Sequence, residues 1–454
     1  MPVWIDNVTI DPAWIQRRLQ LSSCQSCCVV DISNEGRRAE TGAKDGTTVK
    51  LNLTLLLQQD NENENATTDR SSHQGSATHH PTSLIMKQIP PKGQSLSIQL
   101  GLAREAFFYQ RLATRLPQPT KKDEDPYDKE QEEDGGDCKT KKRSGGSTTG
   151  NGVVPKIYYA WGDMETGQKV VVMEDLSDTF IDSGILFGPG NPNNWKRNLS
   201  QLIAQAYPHP NSVIPTSWDI TRATFRAIAQ VHATFWKDAT LLEFTWLRCS
   251  EWIQGRGEES WQSSQQLVKY FWNTYQSREV DGKSKLQWDP LVRETVQKAV
   301  DGISWEAQIR RLNTNTHWTL VHGDFWPGNV MVSTKDCNTI RLLDWEMTGL
   351  GSGPQDLGQY ILSNMDPNER RSREHDVIRE YYEDLIRFGV RDFSWEECWQ
   401  EYRIGGLERW LWFLVYFAGQ EGPYFEWAQF FHNQIASFMK DHSIGPDDVV
   451  QPRP

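Results

Sequence analysis

The chain has 454 residues, a formal net charge of -12 and a sequence pI near 5.4. This acidic balance disfavours nucleic acid or an anionic membrane as the main partner, because both require a basic protein face. A single hydrophobic core tends to divide beyond about 250–300 residues, so the length predicts a chain of two lobes.

Nothing in the sequence predicts a secretory signal or a membrane span. The first twenty residues carry acidic residues and lack the basic-then-apolar order of a signal peptide. The longest strongly apolar run, WLWFLVYFAG at 410–419, has about half of the roughly 20 residues needed to cross a bilayer, so we expect a buried helix. Seven scattered cysteines are typical of reduced thiols, and the CxxC at Cys24–Cys27 has no partner pair at zinc spacing. We therefore expect a cytoplasmic protein.

Two segments stand apart by composition. Residues 58–80 contain almost no apolar side chain, and residues 118–152 form a charged tract rich in Gly and Ser. Neither can bury enough apolar surface to offset the entropy of ordering. Both are expected to be solvated insertions.

The remainder of the first half predicts a small sheet with one helix. CCVVDIS (27–33), VKLNLTLLL (49–57) and SLIMKQI (83–89) have the composition of strands, and PKIYYAWGD and QKVVVMEDL add two more. Residues 95–116 carry apolar side chains at intervals of three and four, which predicts a helix. We expect about five strands with this helix packed on them.

From about residue 195 the hydrophobic pattern becomes helical. The exception is 318–345, where TLVHGDFWPGNVMV and TIRLLDWE alternate short β-rich runs with polar turns. The predicted fold class is therefore α+β, and we expect the chemistry to lie in this small group of strands.

Three oxygen-bearing side chains in 318–345 have a spacing that suits phosphoryl transfer. Asp324 and Asn329 lie on a turn between predicted strands, and Asp344 ends the next strand, IRLLD. Mg²⁺ binds carboxylate and amide oxygens together with phosphate oxygens. Phosphoryl transfer requires one carboxylate for the hydroxyl proton, and an amide with a second carboxylate for the metal.

HGDFWPGN at 322–329 and LLDWE at 342–346 resemble the catalytic segments of the aminoglycoside phosphotransferase and choline-kinase-like superfamily, including its ecdysteroid-kinase-like branch. The resemblance covers about residues 25–440 and implies a bilobal protein-kinase-like fold. It implies a nucleotide-binding lobe at 1–176 and a helical lobe at 177–454 with the acceptor pocket. It assigns Asp324 as catalytic base and Asn329 and Asp344 as the Mg²⁺ ligands. For Glu346 it leaves two roles open, a further metal-binding carboxylate or a carboxylate that lies behind the ligands. The implied cofactors are ATP and Mg²⁺.

The same resemblance predicts the nucleotide contacts in the first half of the chain. Lys87 on the third strand would reach the α- and β-phosphates, and Glu105 on the following helix would pair with it. Main-chain groups around Glu174 and Leu176 would bind adenine. The loop at 34–46 departs from the family pattern, because its glycines (Gly36, Gly42 and Gly46) lack GxGxxG spacing. A phosphate-covering loop and a plain hairpin loop both remain open there.

Two features favour a small-molecule acceptor over a protein. Gly323 follows His322 where protein kinases commonly carry an arginine, and only eleven residues separate Asp344 from Asp356, too few for an activation loop. The resemblance gives Asp356 a buried structural role at a helix start. The expected partner is a small-molecule hydroxyl acceptor of the amino alcohol, steroid or sugar type. A catalytically inactive relative that binds nucleotide or metabolite is the main alternative, and a protein kinase is the third.

Overall fold

A computed structural model describes part of the chain: residues 4–5, 8–9, 27–35, 47–57, 83–89, 95–117, 152–248, 258–302, 304–306, 317–420 and 424–450. The insertions predicted at 58–80 and 118–152 lie outside these residues, apart from Gly152. The same holds for the loop glycines at 36, 42 and 46 and for Cys24 of the CxxC. Cys337 and Cys398 are free thiols and are buried.

The predicted five-stranded sheet is present and wholly antiparallel. Its strands are β3 (Cys27–Glu35), β4 (Thr47–Leu57), β5 (Ser83–Ile89), β6 (Ile157–Gly162) and β7 (Lys169–Glu174), in the spatial order β3-β4-β5-β7-β6. A separate pair is formed by β1 (Trp4–Ile5) and β2 (Val8–Thr9). β7 lies between β5 and β6 and is buried from Lys169 to Met173, which agrees with its continuous apolar run. Because β5 pairs with β7, Lys87 lies directly opposite Val171.

The prediction of a single continuous helix over 95–116 was wrong. The structure has α1 (Ser95–Leu100), α2 (Arg104–Arg111) and a 3₁₀ turn at Ala113–Arg115. Gly101 lies between the two helices with φ 66°, the left-handed conformation that ends many helices. The break redirects the chain, so that α2 packs against β6 and β7.

The second half is mainly helical, as predicted. Its helices are α3 (Leu199–Ala206), α4 (Ser217–Thr234), α5 (Glu258–Val280), α6 (Pro290–Gly302), α7 (Gly353–Asn364), α8 (Pro367–Arg387), α9 (Trp395–Gly419), α10 (Tyr424–Asp441) and α11 (Pro446–Val450). α7 and α9 approach closely at Gly358 and Gly406, where a Cβ on Gly358 would lie 2.9 Å from the Gly406 Cα. The apolar run 410–419 lies within α9, whose buried face packs on α5, α7 and α10. Among the described helices, none combines the length and apolarity of a membrane span.

Short strands interrupt the helices where the sequence predicted them. β8 (Phe180–Asp182), β10 (Val330–Ser333) and β11 (Ile340–Leu342) form one antiparallel sheet, and β9 (Thr319–Val321) pairs with β12 (Gly349–Gly351). The sequence did not predict β8, which lies outside 318–345, or β12, whose Gly-Leu-Gly segment has poor strand composition. Small antiparallel sheets with a mostly helical remainder confirm the α+β fold class.

Candidate active site

A lysine–glutamate pair joins the five-stranded sheet to its helix. The Lys87 Nζ on β5 lies 2.9 Å from the Glu105 Oε1 on α2. The same Nζ lies 2.9 Å from the Asp344 Oδ1, although these residues are 257 positions apart. The fold therefore brings together three of the residues that the sequence singled out.

Asp344 occupies a strained backbone conformation. It follows β11 with φ 65° and ψ 57°, the left-handed region that non-glycine residues adopt at a cost of about 1–3 kcal/mol. The next residue holds it there, because the Trp345 ring is fully buried and stacks on Phe108 with centroids 4.0 Å apart. This turn buries Trp345 and leaves the Asp344 side chain 26% exposed.

A second lysine, which the sequence analysis missed, completes the cluster. Lys169 begins β7 and its side chain is 2% exposed. Its Nζ lies 2.5 Å from the Glu105 Oε2 and also contacts the Glu346 Oε1. Asp344, Lys87, Glu105, Lys169 and Glu346 thus form a chain of alternating charges, which we call the cleft charge chain.

The charges in this chain shift one another's pKa values. Burial opposes the charge of Lys87, but Asp344, Glu105 and Glu346 outweigh it and raise the pKa of Lys87 well above its usual value. Burial disfavours the Asp344 carboxylate, yet Lys87 and Lys169 hold its pKa below the usual value. Burial, followed by the Asp344 charge, raises the pKa of Glu346 to about 7. Asp344 is therefore more readily ionised than Glu346, and it is the better ligand of the two for a divalent cation.

The turn that carries Asp324 requires a glycine. Gly323 has φ 75°, and a Cβ at this position would lie 2.1 Å from the Met347 carbonyl oxygen. An arginine at 323 would clash with that backbone. On the other side of the turn, the His322 Nε2 donates to the Leu343 carbonyl at 2.8 Å, and the Asp324 N–H donates to the His322 Nδ1 at 3.3 Å. The turn is therefore fixed against the residue that precedes Asp344.

Asp356 secures the same turn from the first turn of α7. It is fully buried, and its carboxylate accepts the His322 N–H at 2.7 Å and the Gly323 N–H at 3.1 Å. His232 on α4 donates from Nε2 to this carboxylate at 3.3 Å, and its Nδ1 accepts from the Tyr381 hydroxyl at 2.8 Å. Asp356 has the buried position at a helix start that the resemblance implied, and His232 is also fully buried. They position the Asp324 turn.

Asp324 itself is partly exposed and has three polar neighbours. The Asn329 amide donates to its Oδ2 at 3.0 Å, and the Arg409 Nη2 lies 3.2 Å from its Oδ1. The Gln359 amide is 3.5 Å from the same Oδ1. Arg409 is 5% exposed on α9, and its guanidinium lies over the Phe413 ring at 4.3 Å. Sequence patterns did not reveal Arg409 and Gln359, although the Glu408–Arg409 pair interrupts the apolar second half of α9 and was a usable signal.

The side chains around Asp344 suit a hard divalent cation. Ligand oxygens of Glu105, Asp344 and Glu346 lie within 4.8 Å of one another. Asn329 is brought beside Asp344 by the β10–β11 hairpin, because the Leu343 N–H donates to the Asn329 carbonyl at 2.9 Å. Carboxylate and amide oxygens are the ligand types that Mg²⁺ prefers. The residues present therefore fit this ion.

Glu174 and Leu176 lie where β7 ends and the chain turns toward the helical part. The Glu174 N–H donates to the Lys156 carbonyl at 2.9 Å, and the Lys156 N–H donates to the Glu174 carboxylate at 2.8 Å. The Leu176 carbonyl accepts from Thr179 and Phe180. These groups fix the turn, and the adenine contact predicted here stays a prediction.

One model of a known protein family matches part of this chain. A sequence model of the Ecdysteroid kinase-like family matches residues 199–391, which include Asp324, Asn329, Asp344 and Asp356. No curated protein matches the chain at a significant level.

Solved structures give distant likenesses only. A Ralstonia eutropha JMP134 protein provisionally assigned as an aminoglycoside phosphotransferase is 12% identical, with 94% of this chain and 98% of that one covered and a TM-score of 0.44. A choline kinase from Cryptosporidium parvum Iowa II is 9% identical, with 91% and 92% covered and a TM-score of 0.44. The choline kinase LicA from Streptococcus pneumoniae is 11% identical, with 94% and 98% covered and a TM-score of 0.37. The family model alone carries the likeness: the chain resembles the ecdysteroid kinase-like family over residues 199–391, as its HGDFWPGN and LLDWE segments predict.

Proposed function

We propose that this chain is an ATP- and Mg²⁺-dependent phosphotransferase that moves the γ-phosphate to the hydroxyl of a small molecule. The observation that carries the proposal is the position of Lys87, whose Nζ is 2.9 Å from both Glu105 and Asp344. A buried glutamate fixes the lysine, and the lysine in turn faces the metal-binding carboxylate. Phosphoryl transfer needs this arrangement, because its catalysis is mainly positioning and charge stabilisation.

Each residue has a separate role in the proposed reaction. Lys87 binds the nucleotide phosphates, and the main chain at Glu174 and Leu176 binds adenine. Asp324 orients the acceptor hydroxyl and receives its proton as the new oxygen–phosphorus bond forms. The bond between the γ-phosphorus and its bridging oxygen breaks, and ADP leaves. Mg²⁺, when bound by Asn329 and Asp344 with Glu346 nearby, supplies positive charge for the transferring phosphoryl group.

The surroundings of Asp324 favour one class of acceptor. Arg409 places a buried positive charge 3.2 Å from the Asp324 Oδ1. An acceptor with a quaternary ammonium or several amines would have to approach this guanidinium. Neutral alcohols, such as steroids and uncharged sugars, are therefore favoured over choline-like and aminoglycoside acceptors.

The segment after Asp344 favours a small acceptor over a protein. Residues 345–352 contain a 3₁₀ turn at Trp345–Met347 and the strand β12, and α7 begins at Gly353. This segment is paired with β9 and lacks the length for a peptide-docking loop. In the proposed enzyme the acceptor therefore meets Asp324 beside α7 and α9.

The proposal is tested by incubating purified protein with Mg-ATP and a metabolite extract, and by mass-spectrometric search for metabolites that gain a phosphate. Wild type should phosphorylate at least one alcohol. Asp324→Asn should lower the rate about 10²–10⁴-fold, the contribution typical of a general base, without loss of nucleotide binding. Asp281→Asn, at a 55% exposed surface position, is the matched control and should retain full activity. Nucleotide binding without transfer to any alcohol would favour an inactive binding protein, and an unchanged rate in Asp324→Asn would show that the base is wrongly assigned.

A further inference from the structure

The two lysines of the cleft charge chain differ in what they can reach. The Lys87 side chain is 22% exposed, so its ammonium can leave Asp344 for a nucleotide phosphate. The Lys169 side chain is 2% exposed and lies between Glu105 and Glu346. Lys169 has no comparable access to a ligand. Its positive charge therefore stabilises only the carboxylates around it.

The three carboxylates of this chain also differ. Glu105 is fully buried and binds both lysines, one through each oxygen. Glu346 is 16% exposed, and its Oε1 contacts Lys169 and lies 3.8 Å from the Lys87 Nζ. Asp344 is 26% exposed and has Lys87 as its ammonium partner. When Lys87 turns to the nucleotide, Asp344 loses that partner, whereas Glu346 keeps Lys169.

We propose that the buried ammonium of Lys169 takes the place of a second divalent cation at Glu346, so that the site binds one metal ion per nucleotide. This inference rests on the proposed function, because it concerns the metal of the same site. The single ion is held from the protein by Asp344 and Asn329. Glu346 is a partner of Lys169 and does not bind the ion, which decides between the two roles that the resemblance left open for it.

Charge balance supports this assignment. Three carboxylates and two ammonium groups leave one carboxylate without a cation when all five are ionised. One divalent ion bound at Asp344 satisfies that carboxylate. A second divalent ion at Glu346 would lie against an ammonium that is buried and cannot move into solvent, and like charges in a buried site repel strongly.

The test counts bound Mn²⁺ by electron paramagnetic resonance, with the protein saturated by one equivalent of a non-hydrolysable ATP analogue. Wild type should bind one Mn²⁺ per chain. Lys169→Met should bind two, because Glu346 then lacks a cation, and Lys169→Arg should bind one. In Lys169→Met combined with Glu346→Gln the count should return to one.

The outcomes separate this inference from the proposed function. Two ions in wild type, or one in a folded Lys169→Met, would overturn the inference alone. Absence of any nucleotide-dependent Mn²⁺ binding in wild type would overturn the proposed function and the inference with it. If Lys169→Met does not fold, the wild-type count still decides between one ion and two. Thermal melting gives an independent readout, since Mn²⁺ should stabilise Lys169→Met more than wild type.

Discussion

Two buried ionic clusters in this chain differ in what they leave accessible. The cleft charge chain has three carboxylates for two ammonium groups, and Lys87 and Asp344 are 22% and 26% exposed. The helical ion cluster consists of Arg370, Glu374, Tyr402, Asp441 and His442. Its central pair, Arg370 and Glu374, is 3% and 8% exposed.

The helical ion cluster satisfies its charges within the protein. The Glu374 carboxylate accepts from the Arg370 Nη1 at 2.9 Å and the Tyr402 hydroxyl at 2.7 Å, and His442 lies 3.3 Å away. Arg370 also contacts Asp441, whose Oδ2 lies 2.8 Å from the Nε of a second arginine, Arg371. These bonds join α8, α9 and the end of α10. The helical ion cluster, whose charges are paired within the protein, therefore holds helices together. The cleft charge chain has one more carboxylate than ammonium groups and is partly exposed, so it is suited to bind a charged ligand.

The largest expected effect is a loss of stability when the helical ion cluster is disrupted. Glu374→Ala removes the carboxylate and leaves Arg370 buried without its main partner, which should lower the free energy of unfolding by about 3–5 kcal/mol. Denaturant unfolding measures this loss, and transfer per folded molecule should be unchanged. Glu380→Ala is the control on the same helix, because Glu380 is 45% exposed and its pair with Arg222 should contribute about 0–1 kcal/mol. Equal losses in the two variants would show that the helical ion cluster is not structural.

The matching change in the cleft should affect activity and spare the fold. Asp344→Asn keeps the shape and tolerates the left-handed backbone, because asparagine adopts that conformation readily. Loss of the carboxylate charge should lower the transfer rate about 10²–10³-fold, as expected when a charge-stabilising group is removed. Steady-state kinetics measures the rate, and Asp376→Asn, at an 80% exposed position, should leave it unchanged. A fully active Asp344→Asn would mean that the cleft charge chain does not bind the metal.

A smaller effect on the transfer rate is expected at Arg409. This residue sharpens the comparison because its guanidinium is buried but faces the partly exposed carboxylate of Asp324. Arg409→Lys keeps the charge but loses the planar fork that meets both Asp324 and Phe413. We expect about a tenfold loss in kcat, equal to about 1.4 kcal/mol, with unchanged nucleotide affinity. Arg222→Lys, at a 41% exposed site, is the control. A change in nucleotide affinity instead would place Arg409 in a different role.

The smallest effect concerns a buried histidine outside both clusters. The His432 Nε2 accepts the Asp289 N–H at 2.8 Å, and burial lowers the pKa of His432 below its usual 6.5. Below pH 6.5 the unfolded chain therefore binds more protons than the folded chain, so stability should fall as the pH is lowered from about 6.5. His432→Gln keeps a hydrogen-bond acceptor without this titration and should flatten that part of the stability profile. Thermal melting between pH 5 and 7.5 measures it, and an unaltered profile would exclude His432 as the cause.

Sequence patterns indicated which side chains lie near one another where a residue's chemistry and its place in the chain agree. Asp324, Asn329 and Asp344 could be placed near one another because short strands and a polar turn carry them. For these three residues the local pattern already indicates the geometry. Lys87 and Glu105 were paired through the family resemblance, since a strand lysine and a helix glutamate are each common surface residues.

The residues that sequence reasoning missed depend on long-range packing. Lys169 stands at the start of an apolar strand, where a lysine is usually solvated, and only the approach of Glu105 and Glu346 makes it a buried cation. Arg409 meets Asp324 across 85 residues. The break between α1 and α2 depends on one glycine, whose conformation a helical pattern does not reveal.

The central claim is that the cleft charge chain is a nucleotide site in which Lys87 binds phosphate. Calorimetric titration with a non-hydrolysable ATP analogue, with and without Mg²⁺, tests it most directly in wild type, Lys87→Met and the 70% exposed control Lys283→Met. The account predicts Mg²⁺-dependent binding that is equal in wild type and Lys283→Met and at least tenfold weaker in Lys87→Met. Equal affinity in all three proteins, or no binding to wild type, would contradict it.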